Sequence, residues 1–339
     1  MKRLRFWFLL PLILLLTASF EIPNADAATK TQTSPNGLEP LTPEDVMTFV
    51  NGYVAEKMAA AHAPGLVITV VHQGEIVLSK GYGVADVATG RPMTPQTNLR
   101  AGSVSKPVTS AAVLQLVAQE QIAMNAPITE YLSTLPMEDQ YGTAGTVAQL
   151  LTLQGGYPDT VLQTHSATLA DWQPLPNYLS EHLPPRVMPS GKVYSYNSWE
   201  HGLLGQAMAE VTGEPFDRVM ADTLFRPLGM AQSTFSQPLP DLTANNLATG
   251  HAFVDGVYEE VPLDYVNLSP GIALVTTGED MGRFMLALLN DGWLDDEQVL
   301  APATVTGMLS RQEAVNAYSR GRTYGLSEIT LSDRKVLYH

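Results

Sequence analysis

The hydrophobic positions of this chain are distributed unevenly, and the first apolar run stands apart from the others. It covers residues 6–16, with Pro11 as its interruption, and Ala25-Asp26-Ala27 follows as a small-x-small sequence. Three basic residues precede it: Lys2, Arg3 and Arg5. This order is typical of a secretory signal peptide. An uncleaved membrane anchor is the alternative, but a membrane helix needs roughly 20 apolar residues. We therefore expect export and removal of residues 1–27.

After a polar leader over residues 28–40, the apolar positions recur with regular periods. Thr42 and Pro43 begin a predicted helix, since these types favour its cap and first position. Two β-branched runs joined by a turn over residues 65–83 predict a hairpin. Three later segments have helical periodicity: 103–121, 199–212 and 278–290. Strand-like patterns return over residues 324–338. We therefore predict an α/β (α+β) fold, a sheet lobe interrupted by a mostly helical lobe, with the active site between them.

Composition excludes several classes of protein. The 339 residues are 45% hydrophobic and carry a net charge of −15, so the chain can bury a large core but is a poor nucleic-acid binder. It has no cysteine, which excludes disulfides, thiolate zinc sites and a cysteine nucleophile. The seven histidines lack metal-ligand spacing, and no P-loop, Rossmann fingerprint or G-x-S-x-G elbow is present. We therefore predict no metal and no cofactor.

The segment Ser103-Val104-Ser105-Lys106 carries the chemistry we consider most informative. Residues three apart lie on one face of a helix, so the hydroxyl of Ser103 and the amine of Lys106 would be adjacent. A serine hydroxyl needs a neighbouring base to become a nucleophile. A desolvated lysine loses its preference for the charged form and can be that base. The alternative is a helix cap followed by a surface lysine, and the spacing alone does not decide between the two.

The same spacing occurs a second time. Ser332-Asp333-Arg334-Lys335 lies in a polar, charged segment between two strand-like runs. A turn would not place Ser332 and Lys335 on one helical face, so we interpret this copy as a chance match. The Ser-x-x-Lys spacing is therefore weak evidence unless its surroundings support it.

The surroundings of Ser103 resemble the serine β-lactamase and penicillin-binding-protein-like family, in particular its class C-related hydrolases. The resemblance covers roughly residues 41 to 339. The matching segments are, in chain order, 81–83, 99–103, 105–110, 150–152, 194–197, 203–205, 226–230 and 269–277. The resemblance implies a β-lactamase/transpeptidase-like fold, an antiparallel sheet flanked by helices beside a helical lobe. It also implies Ser103 as nucleophile and Lys106 as general base.

The family's second box is Tyr-x-Asn on a loop of the helical lobe. Counting back from 203–205, its tyrosine falls on Tyr196, which the resemblance implies shuttles protons with Lys106. The asparagine position holds Ser198, with Asn197 one residue early, and we expect these two residues to contact the substrate. Tyr194 is the weaker candidate for the tyrosine. The one true Tyr-x-Asn, at 265–267, comes too late in the order and is interpreted as chance.

Two departures from the family pattern remain. The family has Leu-Leu-x-His-x-Ser-Gly where residues 150–156 lack both the histidine and the serine, and we expect that loop to be structural. The third box, Lys- or His-x-Gly on a late strand, supplies an oxyanion donor and a substrate contact. His339 resembles its first residue, and we expect the final strands and C-terminal helix of the domain at 41–339 to be missing. His72-Gln73-Gly74 fits this box but lies in an early turn.

Two functions follow as hypotheses. One is an exported serine hydrolase that forms an acyl-enzyme with a β-lactam, a D-amino-acid or peptidoglycan peptide, or a small ester. The other is a catalytically weak or inactive penicillin-binding-like sensor or binding module, which the altered second box and absent third box favour. We expect a small-molecule or peptide substrate, no nucleic-acid partner and no membrane span after the signal peptide. The sequence does not indicate the oligomeric state.

Overall fold

The computed structural model describes residues 14–16, 42–135, 137, 141–142, 144–161, 163–312 and 321–339. The predicted signal peptide and leader lie outside these residues, apart from the backbone of a short strand, β1 (Leu14–Leu16). Ten α-helices are described: α1 (Pro43–Ala61), α2 (Ser105–Ala118), α3 (Val147–Leu151), α4 (Leu175–His182), α5 (Trp199–Thr212), α6 (Phe216–Met220), α7 (Asp241–Asn246), α8 (Ser269–Ile272), α9 (Gly278–Leu289) and α10 (Pro302–Leu309).

The remaining strands are short except for one hairpin. They are β2 (Gly65–His72), β3 (Glu75–Asp86), β4 (Arg91–Pro92), β5 (Leu99–Arg100), β6 (His165–Ser166), β7 (Gly250–Val254), β8 (Val257–Val261), β9 (Tyr265–Val266), β10 (Val275–Thr276), β11 (Trp293–Leu294), β12 (Glu297–Gln298), β13 (Gly321–Arg322), β14 (Ser327–Leu331) and β15 (Arg334–Tyr338). All pairings between these strands are antiparallel. The predicted mixed fold with antiparallel sheets is confirmed.

Two sheets come from opposite ends of the chain. The first has the order β2-β3-β4, and the second has the order β1-β15-β14-β13. Helices α1 and α9 pack against the first sheet. The predicted capping of α1 is confirmed. The Asp45 N–H donates to Thr42 Oγ1 at 3.1 Å, and the Thr42 N–H donates to the Asp45 carboxylate at 3.0 Å. Apart from β1, the strands of these two sheets come from residues 65–92 and 321–338, and the predicted strand segments 65–83 and 324–338 lie within these ranges.

Helix α2 lies at the centre of the helical region. Eleven of its 14 residues are buried, and it packs against α5, α8 and α10. One continuous apolar cluster surrounds it, drawn from α2, α3, α5, α6 and α9. Because α2 is enclosed on nearly every side, any polar group on its first turn faces a protein interior unless a cleft reaches it. Among the described helices, none combines the length and the hydropathy that a membrane crossing requires.

Candidate active site

A tight turn places Ser103 at the entrance to α2. The chain leaves β5, passes Gly102 with φ +54°, and forms a 3₁₀ turn over Gly102–Val104 before α2 begins. Ser105 fixes this turn, because its hydroxyl donates to the Gly102 carbonyl at 2.6 Å and accepts from the Leu274 N–H at 2.9 Å. Ser103 itself is half-buried. The second serine of the box therefore holds the backbone while the first remains accessible.

Lys106, three residues later, is fully buried. Its Nζ donates to Tyr196 Oη at 3.2 Å, to Ser198 Oγ at 3.0 Å and to the Gly271 carbonyl at 3.2 Å. None of these partners is a carboxylate, so no neighbouring negative charge fully offsets the cost of burying an ammonium. Burial lowers the pKa of Lys106 to about 7, and the charge of Asp159 opposes this shift. A substantial fraction of the amine is therefore neutral near pH 7.

Tyr196 connects Lys106 to Ser103. Burial raises the pKa of its phenol, and a hydrogen bond with Ser103 partly offsets that rise. The ammonium of Lys106 also lies 4.7 Å from the centre of the Tyr196 ring. The serine hydroxyl, the phenol and the amine thus form a continuous hydrogen-bonded chain. Such a chain can carry a proton from a hydroxyl to an amine, which is the task of a general base.

Asn197 and Ser198, both predicted to contact the substrate, point in different directions in the structure. Ser198 lies in the site, bonded to Lys106, and its side chain lies against Gly271, where an added Cβ would come 2.9 Å from Ser198 Cβ. Asn197 is fully buried and faces away, since its amide donates to the Ser195 carbonyl and to Glu200 Oε1, both at 2.9 Å. This geometry argues against the substrate contact predicted for Asn197, and we reassign that residue to supporting the loop.

His339 reaches the edge of the same site. Its ring centre lies 6.1 Å from that of Tyr196, and its Nδ1 lies 3.2 Å from the Gly325 carbonyl. Burial, and then the charge of Lys106, lower the pKa of His339 to about 3, so the ring is neutral near pH 7. The Arg322 guanidinium instead lies over the Tyr194 ring, with its carbon 3.6 Å from the ring centre. The geometry therefore brings Tyr196, and not Tyr194, to Lys106.

The other sequence matches fall elsewhere. Asn267 of the late Tyr-x-Asn is bonded to Ser166 and to the Gln163 carbonyl. Gln73 and Gly74 form the tip of the β2–β3 hairpin, both with positive φ. The second Ser-x-x-Lys spans the turn between β14 and β15. None of these residues contacts Lys106 within the described structure.

Sequence reasoning missed two acidic residues at this site. Asp159 follows the variant loop, and its charge raises the pKa of both Lys106 and Tyr196. Glu200 is fully buried in the first turn of α5 and bonds that same loop. A signal for Glu200 was present, because it lies three and four residues before the core residues Leu203 and Leu204. An acid on the apolar face of a helix is a buried carboxylate that needs partners.

Comparison with known proteins now establishes the family. The family model described as Beta-lactamase matches residues 50–328. The chain belongs to the beta-lactamase family. Esterase EstB of Burkholderia gladioli is 27% identical over 301 residues, which cover 78% of this chain and 74% of EstB. A beta-lactamase of Yersinia enterocolitica is 26% identical over 247 residues, covering 73% of this chain and 60% of that enzyme.

A solved structure supports the same fold. The octameric penicillin-binding protein homologue from Pyrococcus abyssi superposes with a TM-score of 0.72 at 20% identity, over 86% of this chain and 67% of that one. Coverage of relatives varies, and the chain spans only 49% of protein flp from Staphylococcus aureus. The names of these family members support a serine hydrolase in general.

Two further features of this beta-lactamase family member bear on its site. A cavity of about 510 Å³ is lined by parts of α4, α5 and α6 and includes none of the predicted site residues. A much smaller cavity, about 10 Å³, adjoins Lys106, His201 and His339. Within the described ranges, no three acidic or histidine side chains are grouped so that they could hold a metal ion.

Proposed function

We propose that this serine hydrolase acylates Ser103, with Lys106 as general base and Tyr196 as the group that passes the proton between them. The observation that carries the proposal is the buried, partly neutral Lys106 amine hydrogen-bonded to a phenol that is itself bonded to Ser103. A neutral amine can accept a proton, and a buried phenol between the two groups gives that proton a short path.

The reaction has two balanced halves. The Ser103 proton passes through Tyr196 to Lys106 as Oγ forms a bond to the substrate carbonyl carbon, and the Ser103 N–H at the helix entrance stabilises the oxyanion. The C–N or C–O bond of the substrate then breaks, and its leaving group takes the proton from Lys106. Water attacks the resulting ester with the same base, releasing the acid and restoring the Ser103 hydroxyl.

We propose a β-lactam, a D-amino-acid peptide or a small ester as substrate, since relatives carry the names esterase, beta-lactamase and penicillin-binding protein homologue. Ser198 takes the place of the family asparagine beside Lys106, and the His339 ring centre lies 6.1 Å from that of Tyr196. We assign both to contact with the bound acyl group. A hydroxyl and a neutral imidazole suit a carbonyl or amide of the substrate.

The experiment is active-site labelling of the full chain. A fluorescent penicillin and a fluorophosphonate are expected to label the wild type, with the mass increase on the peptide that contains Ser103. Ser103→Ala is compared with Ser105→Ala: because Ser105 fixes the turn but is not the assigned nucleophile, its variant is expected to label more slowly, whereas Ser103→Ala is expected not to label at all. No labelling of the wild type, or labelling that survives Ser103→Ala, would contradict the proposal.

A second candidate has one observation in its favour. Asn197 turns its amide away from the site, so the second box offers a hydroxyl where its relatives' pattern has an amide. A site that forms the acyl-enzyme but hydrolyses it slowly would be a penicillin-binding module. A chromogenic cephalosporin and a p-nitrophenyl ester, run side by side, separate the candidates. Continued turnover indicates a hydrolase, and a single burst equal to the enzyme concentration indicates the binding module.

We also propose that the protein is exported, on the basis of the basic start, the apolar run and the small-residue sequence before Ala28. The test is N-terminal sequencing of the protein recovered outside the cytoplasm of a bacterial host. The expected first residue is Ala28. A chain retained in the cytoplasm with its original N-terminus would contradict the proposal.

A further inference from the structure

Glu200 is a fully buried carboxylate that the proposed reaction does not use. It lies in the first turn of α5, and none of the ion pairs among the described residues includes it. Burial raises its pKa to about 8, and the hydrogen bonds that it accepts from Asn197 and the Gly155–Tyr157 backbone oppose this rise and favour the ionised form. Placing a carboxylate in a protein interior is costly unless hydrogen bonds compensate for the lost water. Such a residue is retained only where its surroundings supply several donors.

The donors come from two separate segments. On one side, the Gly155 N–H donates to Glu200 Oε2 at 3.0 Å, and the N–H groups of Gly156 and Tyr157 also bond to this carboxylate. On the other side, the Asn197 amide donates to Glu200 Oε1 at 2.9 Å, and Asn197 Oδ1 accepts the Glu200 N–H at 2.9 Å. Glu200 therefore joins the loop that follows α3 to the segment that carries Tyr196 and Ser198.

Backbone bonds make these two segments one unit. The Ser195 N–H donates to the Leu153 carbonyl at 3.0 Å, and Trp199 Nε1 donates to the Thr160 carbonyl at 3.1 Å. Asp159, whose charge acts on both Lys106 and Tyr196, lies just before Thr160 in this unit. A shift of the loop would therefore move both the phenol and the charge that sets its environment.

We propose that Glu200 is a positioning residue, which acts through Asn197 and the Gly155–Tyr157 backbone to hold Tyr196 and Ser198 in contact with Lys106. The inference rests on the proposed acylation of Ser103 and adds a residue that the reaction needs but that never touches the substrate. Positioning has large kinetic consequences, since a displacement of about 1 Å at a reacting group costs on the order of 100-fold in rate.

Gly155 supplies a reciprocal test of this role. A Cβ added at Gly155 would lie 2.8 Å from Glu200 Cδ and 3.0 Å from its nearer oxygen. Gly155 is not among the glycines with positive φ, so the carboxylate and not backbone strain excludes a side chain there. Glu200 and a side chain at residue 155 thus compete for one space. A serine there would place a hydroxyl near the carboxylate position once the acid is removed.

The experiment compares four full-length variants with wild type, using the second-order rate of Ser103 labelling by the fluorescent penicillin at 20 °C. Glu200→Ala and Gly155→Ser are each expected to slow labelling about 10- to 100-fold. The double variant Gly155→Ser/Glu200→Ala is expected to recover to within about 5-fold of wild type, since the hydroxyl replaces the lost acceptor. Melting temperatures are measured in parallel, with every rate taken well below them.

Glu210→Ala is the matched control. Glu210 is on the same helix and also accepts backbone hydrogen bonds, from Ser133 at 2.8 Å and Thr134 at 3.3 Å, but it does not contact the Tyr196 segment. This variant is expected to lower the melting temperature and leave the labelling rate unchanged. The control shows how far the labelling rate falls when a carboxylate that only stabilises the fold is lost.

The outcomes separate the two proposals. A wild-type chain that is not labelled overturns the proposed function, and this inference with it. A labelled wild type with unchanged Glu200→Ala overturns the inference alone. If Glu200→Ala labels slowly without recovery in the double variant, and Glu210→Ala loses a comparable rate for a comparable fall in melting temperature, Glu200 has a purely structural role and the inference is also overturned.

Discussion

Two segments of this chain have the same Ser-x-x-Lys spacing but different backbones. Residues 103–106 cross from a 3₁₀ turn into α2, so Ser103 and Lys106 face the same partner, Tyr196. Residues 332–335 run from the tip of the β14–β15 hairpin, where Ser332 and Asp333 have positive φ, into β15. The spacing brings the two side chains together only where the backbone is helical.

The two lysines also differ in their surroundings. Lys106 is fully buried and bonds only neutral oxygens. The Lys335 side chain is 40% exposed, bonds the Leu309 carbonyl at 2.6 Å and lies 3.4 Å from Glu328 Oε2. Desolvation without an adjacent carboxylate disfavours the charged form of a lysine. Burial without a carboxylate at hydrogen-bonding distance, rather than the spacing, therefore distinguishes Lys106 as the proposed base.

Replacement of each lysine by methionine tests this difference and has the largest expected effect. Lys106→Met is expected to slow Ser103 labelling about 10²- to 10⁴-fold, because the general base is lost while a side chain of similar length fills the space. Lys335→Met is expected to change the rate less than 2-fold. The measurement is the second-order labelling rate of both folded variants. Equal losses of labelling rate in the two variants would mean that Lys106 has no role that Lys335 lacks.

The two tyrosines beside the first box give a sharper contrast. Tyr196→Phe is expected to slow labelling about 10- to 100-fold, since it removes the hydroxyl between Ser103 and Lys106. Tyr194→Phe keeps the ring under Arg322 and is expected to change the rate less than 3-fold. Stopped-flow measurement of acylation with a chromogenic cephalosporin compares the two. A larger loss at Tyr194 would place the proton path elsewhere.

Much of this framework is predictable from the sequence. The helix over residues 199–212 has the predicted bounds, and the predicted β-hairpin and the helix over 278–290 agree within a few residues. These elements have strong hydrophobic periods and clear ends, such as Gly213 with φ +74° after α5. Ser103, Lys106 and Tyr196 also come together, because helical spacing and the order of the family's boxes constrain them.

The orientation of Asn197 and Ser198 is not predictable in the same way. Adjacent loop residues point in different directions, and the choice here depends on Glu200, which takes the Asn197 amide. The same contact explains why residues 155–156 are Gly-Gly, where the family pattern has Ser-Gly. A serine side chain at residue 155 would collide with the Glu200 carboxylate. This pairing spans 45 residues of chain, and only the folded structure shows it.

The pH dependence of acylation is expected to distinguish Lys106 from Lys335, though by a smaller effect. Because the neutral amine is the proposed base, the rate is expected to rise with pH through about 7, the pKa of Lys106, and then level off. Asp159 stabilises the ammonium, so Asp159→Asn lowers the Lys106 pKa further and moves the midpoint to lower pH. Asp159 is exposed, so solvent and salt keep this shift small.

The check is a pH–rate profile of labelling for wild type, Asp159→Asn and Lys335→Met at two salt concentrations. The midpoint of Lys335→Met is expected to match wild type, and the Asp159→Asn shift is expected to shrink at high salt. A midpoint that moves upward in Asp159→Asn would mean that Asp159 does not act through its charge on Lys106.

The smallest expected effect concerns backbone strain at the two boxes. The hairpin tip uses Ser332 and Asp333 at φ 47° and 62°, and two-residue hairpin loops of this kind favour glycine at the second position. Asp333→Gly is therefore expected to stabilise the fold by about 0.5 kcal/mol, since relief of the left-handed strain exceeds the entropy that glycine adds to the unfolded chain. Differential scanning calorimetry would show this as a rise of about 1–2 °C in Tm.

Gly102, at φ +54° before the first box, provides the opposite substitution. An added Cβ there meets no atom within 4 Å, so Gly102→Ala tests backbone strain without a steric clash. We expect it to destabilise the fold by about 1 kcal/mol, because alanine must adopt a left-handed conformation that glycine adopts freely. Stability changes of opposite sign would show that both Ser-x-x-Lys segments need a left-handed backbone conformation. At the first segment a glycine adopts it, and at the second a non-glycine residue does. A loss of stability in Asp333→Gly would instead assign the Asp333 side chain a stabilising contact in the turn.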